Sequence, residues 1–93
     1  MSEENLQYYA SGAIYRIDRL VQGRREGEQV AYYENGQLKT HAHFVDGKLH
    51  GTCLLYWPNG QLKREVHFDH GRKVRFDRFW NERGEMTGEY AHE

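Results

Sequence analysis

The side chains with the most chemistry in them are six histidines and a single cysteine. On an extended strand His41 and His43 lie about 7 Å apart on one face, and His67 follows His43 after 24 residues. With Cys53 between them, three nitrogens and a sulfur make a donor set that zinc accepts. Their spacings match no zinc-binding pattern, and histidines on a solvated strand face are ordinary, so no metal is assigned. Cys53 sits among Thr52, Leu54 and Leu55, a setting in which cysteine behaves as a small buried hydrophobe rather than a nucleophile. Glu65 and His67 form an acid/base pair on one strand face, but a repeat sheet offers no obvious concave pocket to exclude water. No catalytic and no cofactor-binding residues are therefore expected, and the chain is read as a non-enzyme. The remaining chemistry is basic and aromatic: Arg72, Lys73, Arg75 and Arg78 interleave with Phe76, Phe79 and Trp80, a combination suited to phosphates and stacked bases. Asp69, Asp77 and Glu82 dilute it.

These residues are carried by a repeat. Tyr32 to Leu55 aligns with Tyr56 to Phe79 after a shift of 24 residues, with Asn35-Gly36-Gln37-Leu38-Lys39 over Asn59-Gly60-Gln61-Leu62-Lys63 and His43-Phe44 over His67-Phe68. A fainter copy spans residues 8–31 and a half copy residues 80–91, all within one domain of residues 1–93. Self-similarity at such a period marks stacked supersecondary units. Each copy carries two turn signals, Asn-Gly at 35–36 and 59–60, and a second glycine at Gly23, Gly47 and Gly71. Asn-Gly between alternating apolar runs is a strong hairpin signal. The expectation is an all-β antiparallel meander of about eight strands, near residues 6–10, 13–21, 28–33, 37–45, 51–57, 61–69, 74–80 and 85–91, each of ordinary length. Simple alternation puts Leu38, Phe44, Leu62 and Phe68 on one face. Arg16 and Asp18 break that pattern in the first copy, which reads as a degraded repeat or a bulge.

Aromatic doublets close the strands: Tyr8-Tyr9, Tyr32-Tyr33, Tyr56-Trp57 and Phe79-Trp80. Neighbours on a strand face opposite ways, so one ring of each pair, by parity Tyr33, Trp57 and Phe79, is a candidate protein-binding row. Covering the sheet is their alternative use. Charge is balanced at −1, so no global field favours nucleic acid. No apolar run reaches the ~20 residues of a membrane helix, the acidic start is unlike a secretory signal, and the lone cysteine suits a reducing compartment, so a cytoplasmic setting is expected.

The run Tyr-Tyr-x-Asn-Gly-Gln-Leu-Lys, an aromatic about five residues on, then Asp-Gly-Lys-x-x-Gly (Tyr32 to Gly51) resembles the MORN repeat, in particular the bacterial variant of the YwqK-type antitoxin family. The resemblance covers Tyr32 to Phe79 well and the flanks weakly. Two departures mark the last copy: Val74-Arg75 stands where a third glycine is expected, and Asn81-Glu82-Arg83-Gly84 carries one residue more after its doublet. The resemblance implies a twisted sheet of stacked hairpins that binds a protein or associates with a membrane, with no catalytic residues. The expected function is a protein-binding module of antitoxin or immunity type; the alternative is an anionic-lipid or nucleic-acid surface at Arg72, Lys73, Arg75 and Arg78. A protein partner, or a second copy in a homodimer, is expected to cover whatever a single layer leaves bare.

Overall fold

The computed structural model describes residues 2–92. Nine antiparallel strands follow one another: β1 (Ser2–Tyr8), β2 (Ile14–Val21), β3 (Arg24–Tyr32), β4 (Leu38–Val45), β5 (Lys48–Leu49), β6 (Gly51–Tyr56), β7 (Leu62–Asp69), β8 (Arg72–Trp80) and β9 (Met86–His92). Each pairs with its neighbours in chain order; β5 and β6 both pair with β4 and are halves of one strand broken at His50. The meander is as the sequence implies. The first and third strands begin earlier than the pattern suggests, at Ser2 and Arg24.

Two kinds of turn alternate, and they divide the work differently from the sequence reading. Gln22-Gly23, Asp46-Gly47 and His70-Gly71 have positive φ at both residues, 51° and 79°, 52° and 78°, 49° and 88°. That is the two-residue turn whose twist matches the flanking strands. The Asn-Gly sites are longer loops: Tyr33 N–H donates to Gln37 O at 2.8 Å and Gly36 N–H to Tyr33 O at 2.9 Å, with only Gly36 (φ 88°) left-handed. Trp57, Gly60 and Gln61 repeat this geometry. In each loop the Asn Oδ1 accepts the backbone N–H of the residue two on, at 2.9 Å in both copies.

Three further left-handed residues lie inside strand pairs, at Gly27 (φ 82°), Gly51 (φ 83°) and Arg75 (φ 65°). At the third of these, Val66 faces Asp77 whereas His67 faces Val74, so β8 carries two extra residues. The missing glycine has not changed the backbone; Arg75 adopts the conformation that glycine takes in the earlier copies.

A one-residue slip recurs at every doublet: Ala31 faces Thr40 but Tyr32 faces Leu38, and Leu55 faces Arg64 but Tyr56 faces Leu62. Because side chains alternate, a slip of one residue reverses the face. Leu38 and Leu62 thus turn to the side of Tyr32 and Tyr56, away from Phe44 and Phe68, which corrects the single apolar face expected from alternation. The core is a short row across the sheet: Ala42, Cys53 and Val66 side by side, with Phe44 next to them and Leu49, Leu55 and Phe68 packed against them. The row ends in buried carboxylates. Asp18 faces Gln29, which faces Ala42, and Asp77 faces Val66. Asp18 and Asp77 are 2% and 4% exposed. Asp18 takes a hydrogen bond from Gln29 and ion pairs with Arg16 and Arg25, and Asp77 takes two from Arg64 at 2.9 and 2.7 Å. A buried carboxylate is tolerated only when paired in this way. Asp18 therefore keeps the core-face register of the repeat rather than marking a degraded copy.

Candidate functional site

A solvent-open depression of about 460 Å³ lies over β6, β7 and the start of β8, lined by His50, Thr52, His67, Asp69 and Arg75 among others. Strand pairing sets Thr52 opposite His67. Thr52 Oγ1 lies 3.1 Å from His67 Nδ1, and His67 Nε2 lies 3.0 Å from Glu65 Oε2. The imidazole also packs edge-on against Phe76 at 4.6 Å. A hydroxyl, an imidazole and a carboxylate in series can pass a proton, but here the hydroxyl sits mid-strand on an open sheet where water is not excluded. The acid/base pair read from the sequence is thus present, with Thr52 added.

The zinc-like set is not brought together. Cys53 is 8% exposed and packs in the core row, while its strand neighbour Leu54 faces His41. That places the thiol and His41 on opposite sides of the sheet. Burial pushes the Cys53 thiol up, with Arg64 a smaller opposing influence, so it is a packed hydrophobe rather than a reactive thiolate. His41 is 3.7 Å from Glu28, and His43 is exposed.

The basic stretch is also dispersed. Lys73 reaches Asp77 at 3.6 Å, and Arg78 pairs with Glu89 and stacks 3.7 Å from the Phe76 ring. Arg72 sits opposite Asp69, and Arg75 lines the depression.

Of the three predicted aromatic residues, two are equivalent and one is not. Tyr33 Oη donates to Tyr56 O at 2.6 Å and Trp57 Nε1 to Trp80 O at 3.0 Å, continuing a ladder begun by Tyr9 Oη to Tyr32 O at 2.8 Å. Lys39 and Lys63 lie over the Tyr33 and Trp57 rings at 5.5 and 4.6 Å. Burial, with a lesser influence from Tyr9, raises the Tyr33 phenol above its ordinary value, which keeps it a donor. Phe79 instead occupies the place of Leu55, with Arg64 over its ring at 5.0 Å and Tyr90 edge-on at 5.9 Å. The fourth ladder position is Asn81, whose N–H donates to Glu85 O as Trp57 N–H does to Gln61 O. Trp80-Asn81 is therefore the last doublet, and no residue is inserted after it.

Sequence reasoning passed over two histidines. The His50 and His70 rings lie 4.6 Å apart, tilted by 58°, beside Asp69. Their signal was positional: they stand in the places of Glu26 and Asp46, where Asp46 N–H donates to Glu26 Oε1 at 2.9 Å. Large exposed apolar side chains gather near the two ends of the sheet: Leu6, Tyr8 and Ile14 at one, Met86 and Tyr90 at the other.

Fold and surface together define an antiparallel hairpin-repeat sheet with open edges. Residues 25–46 and 49–70 match the family described as MORN repeat variant, so two successive units of the chain support a MORN-repeat protein. No curated protein and no solved structure matches the chain.

Proposed function

We propose that this chain is a non-enzymatic protein-binding module that engages its partner by edge-strand addition, with a second copy as the simplest partner and an antitoxin or immunity-type interaction as its specific form. One observation carries the reading. The molecule is a single layer, 39 × 34 × 13 Å, and its radius of gyration is 14.4 Å, against roughly 12 Å for a compact domain of this length. A layer this thin leaves unpaired N–H and C=O groups along β1 and β9, and such edges are templates for another strand. β1 opens with Glu3 and Glu4, whose like charges oppose self-pairing. β9 carries exposed Met86 and Tyr90, and its Glu89 is already paired with Arg78. Two β9 strands running antiparallel about a two-fold axis would form one self-complementary contact. The free, buried Cys53 suits the reducing, cytoplasmic setting proposed for it.

Sedimentation over a range of protein concentrations tests this. The wild-type chain should move from monomer to dimer as concentration rises, and Met86→Lys with Tyr90→Lys should hold it monomeric while the fold is retained. A wild-type monomer at every concentration would refute self-pairing. The anion-binding alternative loses support because Lys73 and Arg78 already have carboxylate partners. Affinity for a polyanion that fell steeply with salt would restore it.

A further inference from the structure

We propose that His50, Asp69 and His70 form a binding site for a divalent transition-metal ion, zinc being the natural probe. The three side chains each offer a ligand atom, and these atoms lie within 4.8 Å of one another. His70 Nδ1 is 2.7 Å and His50 Nδ1 3.7 Å from Asp69 Oδ1. Around a zinc ion with nitrogen and oxygen ligands at about 2.0–2.1 Å, the edges of the tetrahedron are roughly 3.4 Å long. These two separations bracket that value, and the His50 and His70 ligand nitrogens lie within 4.8 Å of each other, so the three donors start close to the spacing an ion needs.

The backbone holds the donors in place. Gly71 N–H donates to Leu49 O at 2.7 Å, which clamps the β7–β8 turn onto the end of β5; His70 N–H donates to His50 Nδ1 at 3.2 Å, a bond that ligation through this nitrogen replaces. In the preceding copy the equivalent turn is capped by a carboxylate, Glu26, and needs no imidazole. Here both positions are histidines, giving two nitrogens and one carboxylate oxygen, a donor set that suits zinc, copper or nickel better than magnesium or calcium. The side chains of His50, Asp69 and His70 are 36%, 52% and 61% exposed, so an ion has access and a water can complete its coordination. Arg72 and Arg75 stand near and oppose a dication, which favours modest affinity over a permanently filled site.

Zinc alone is the probe, titrated into the purified full chain against a chromophoric chelator, with NMR of the histidine ring nitrogens as a second readout. The expected result is one zinc per chain, ring-nitrogen shifts confined to His50 and His70, and at least a ~10-fold loss of affinity in His50→Asn with His70→Asn. His41→Asn with His43→Asn should leave binding intact. No binding at submillimolar zinc, shifts at other histidines, or unchanged affinity in the His50/His70 variant would each overturn the site; the NMR readout decides on the wild-type chain should that variant unfold.

Discussion

Replacing Arg75 by glycine should make this protein more stable, although it deletes a long side chain. Arg75 holds φ at 65° inside β8, where the earlier copies have Gly27 and Gly51 at 82° and 83°. For a residue with a Cβ the left-handed conformation costs about 1–2 kcal/mol, and glycine relieves it while adding about 0.5–1 kcal/mol of unfolded-chain entropy to be lost on folding. Arg75 is exposed, so little packing is lost with it, and the balance favours glycine by about 0.5–1 kcal/mol. For a domain of this size that raises Tm by about 2–8 °C. Arg75→Ala is the control, because it removes the side chain and keeps the strain; it should stay within about 0.5 kcal/mol of the parent. The converse change is Gly51→Ala. A Cβ at Gly51 meets nothing within 4 Å, so the cost is conformational alone, about 0.5–1 kcal/mol of destabilisation once the same unfolded-chain entropy is offset. Thermal and urea unfolding followed by circular dichroism measure all three. If Arg75→Gly is no more stable than Arg75→Ala, or Gly51→Ala melts with the parent, the account of the repeated left-handed position is wrong.

At the Asn-Gly loops, Gly60→Val should destabilise by about 1–3 kcal/mol, since Gly60 holds φ at 90° and a Cβ there also comes within 3.4 Å of Gln37 Oε1; an unchanged melting curve would remove that loop geometry. Asp77→Asn should cost about 2–3 kcal/mol by weakening the charged hydrogen bonds from Arg64, measured by urea unfolding at neutral pH. The Asp77 carboxyl is held below its ordinary value, chiefly by the Arg64 hydrogen bond. Its contribution to stability is therefore fully present above the unfolded carboxylate range near pH 4 and is lost as pH falls below that toward the depressed folded value. Asp77→Asn should lose less stability than the parent over that acid interval, and parallel pH profiles would contradict the assignment.

The meander was legible because its period is written in glycines and Asn-Gly pairs, and each of those residues acts locally, through φ preferences that need no tertiary partner. The antiparallel order followed, since short turns allow nothing else. The loop types were harder. Asp46-Gly47 and His70-Gly71 take the two-residue turn, whereas at 35–36 and 59–60 the Asn Oδ1 accepts the amide of the residue two on and favours a longer loop. Faces were misread where β4 and β7 slip against their partners. Alternation is blind to a one-residue slip, and the slip at Tyr32 and Tyr56 is enforced across strands rather than within one. Ladder membership failed in the same way for Phe79, since an adjacent Phe-Trp looks like a doublet until hydrogen bonding shows that Trp80-Asn81 occupies the place.

By itself the sequence determined the repeat, the strand class and the half-interrupted glycine ladder, all properties of residues near one another in the chain. Only the tertiary structure decided that Asp18 and Asp77 close the core with arginine partners and that the basic stretch is dispersed. It also decided that His50 and His70 meet beside Asp69. Each of these depends on which residues face each other across strands, and that pairing is set by register, summed over several turns and bulges, not by any one segment.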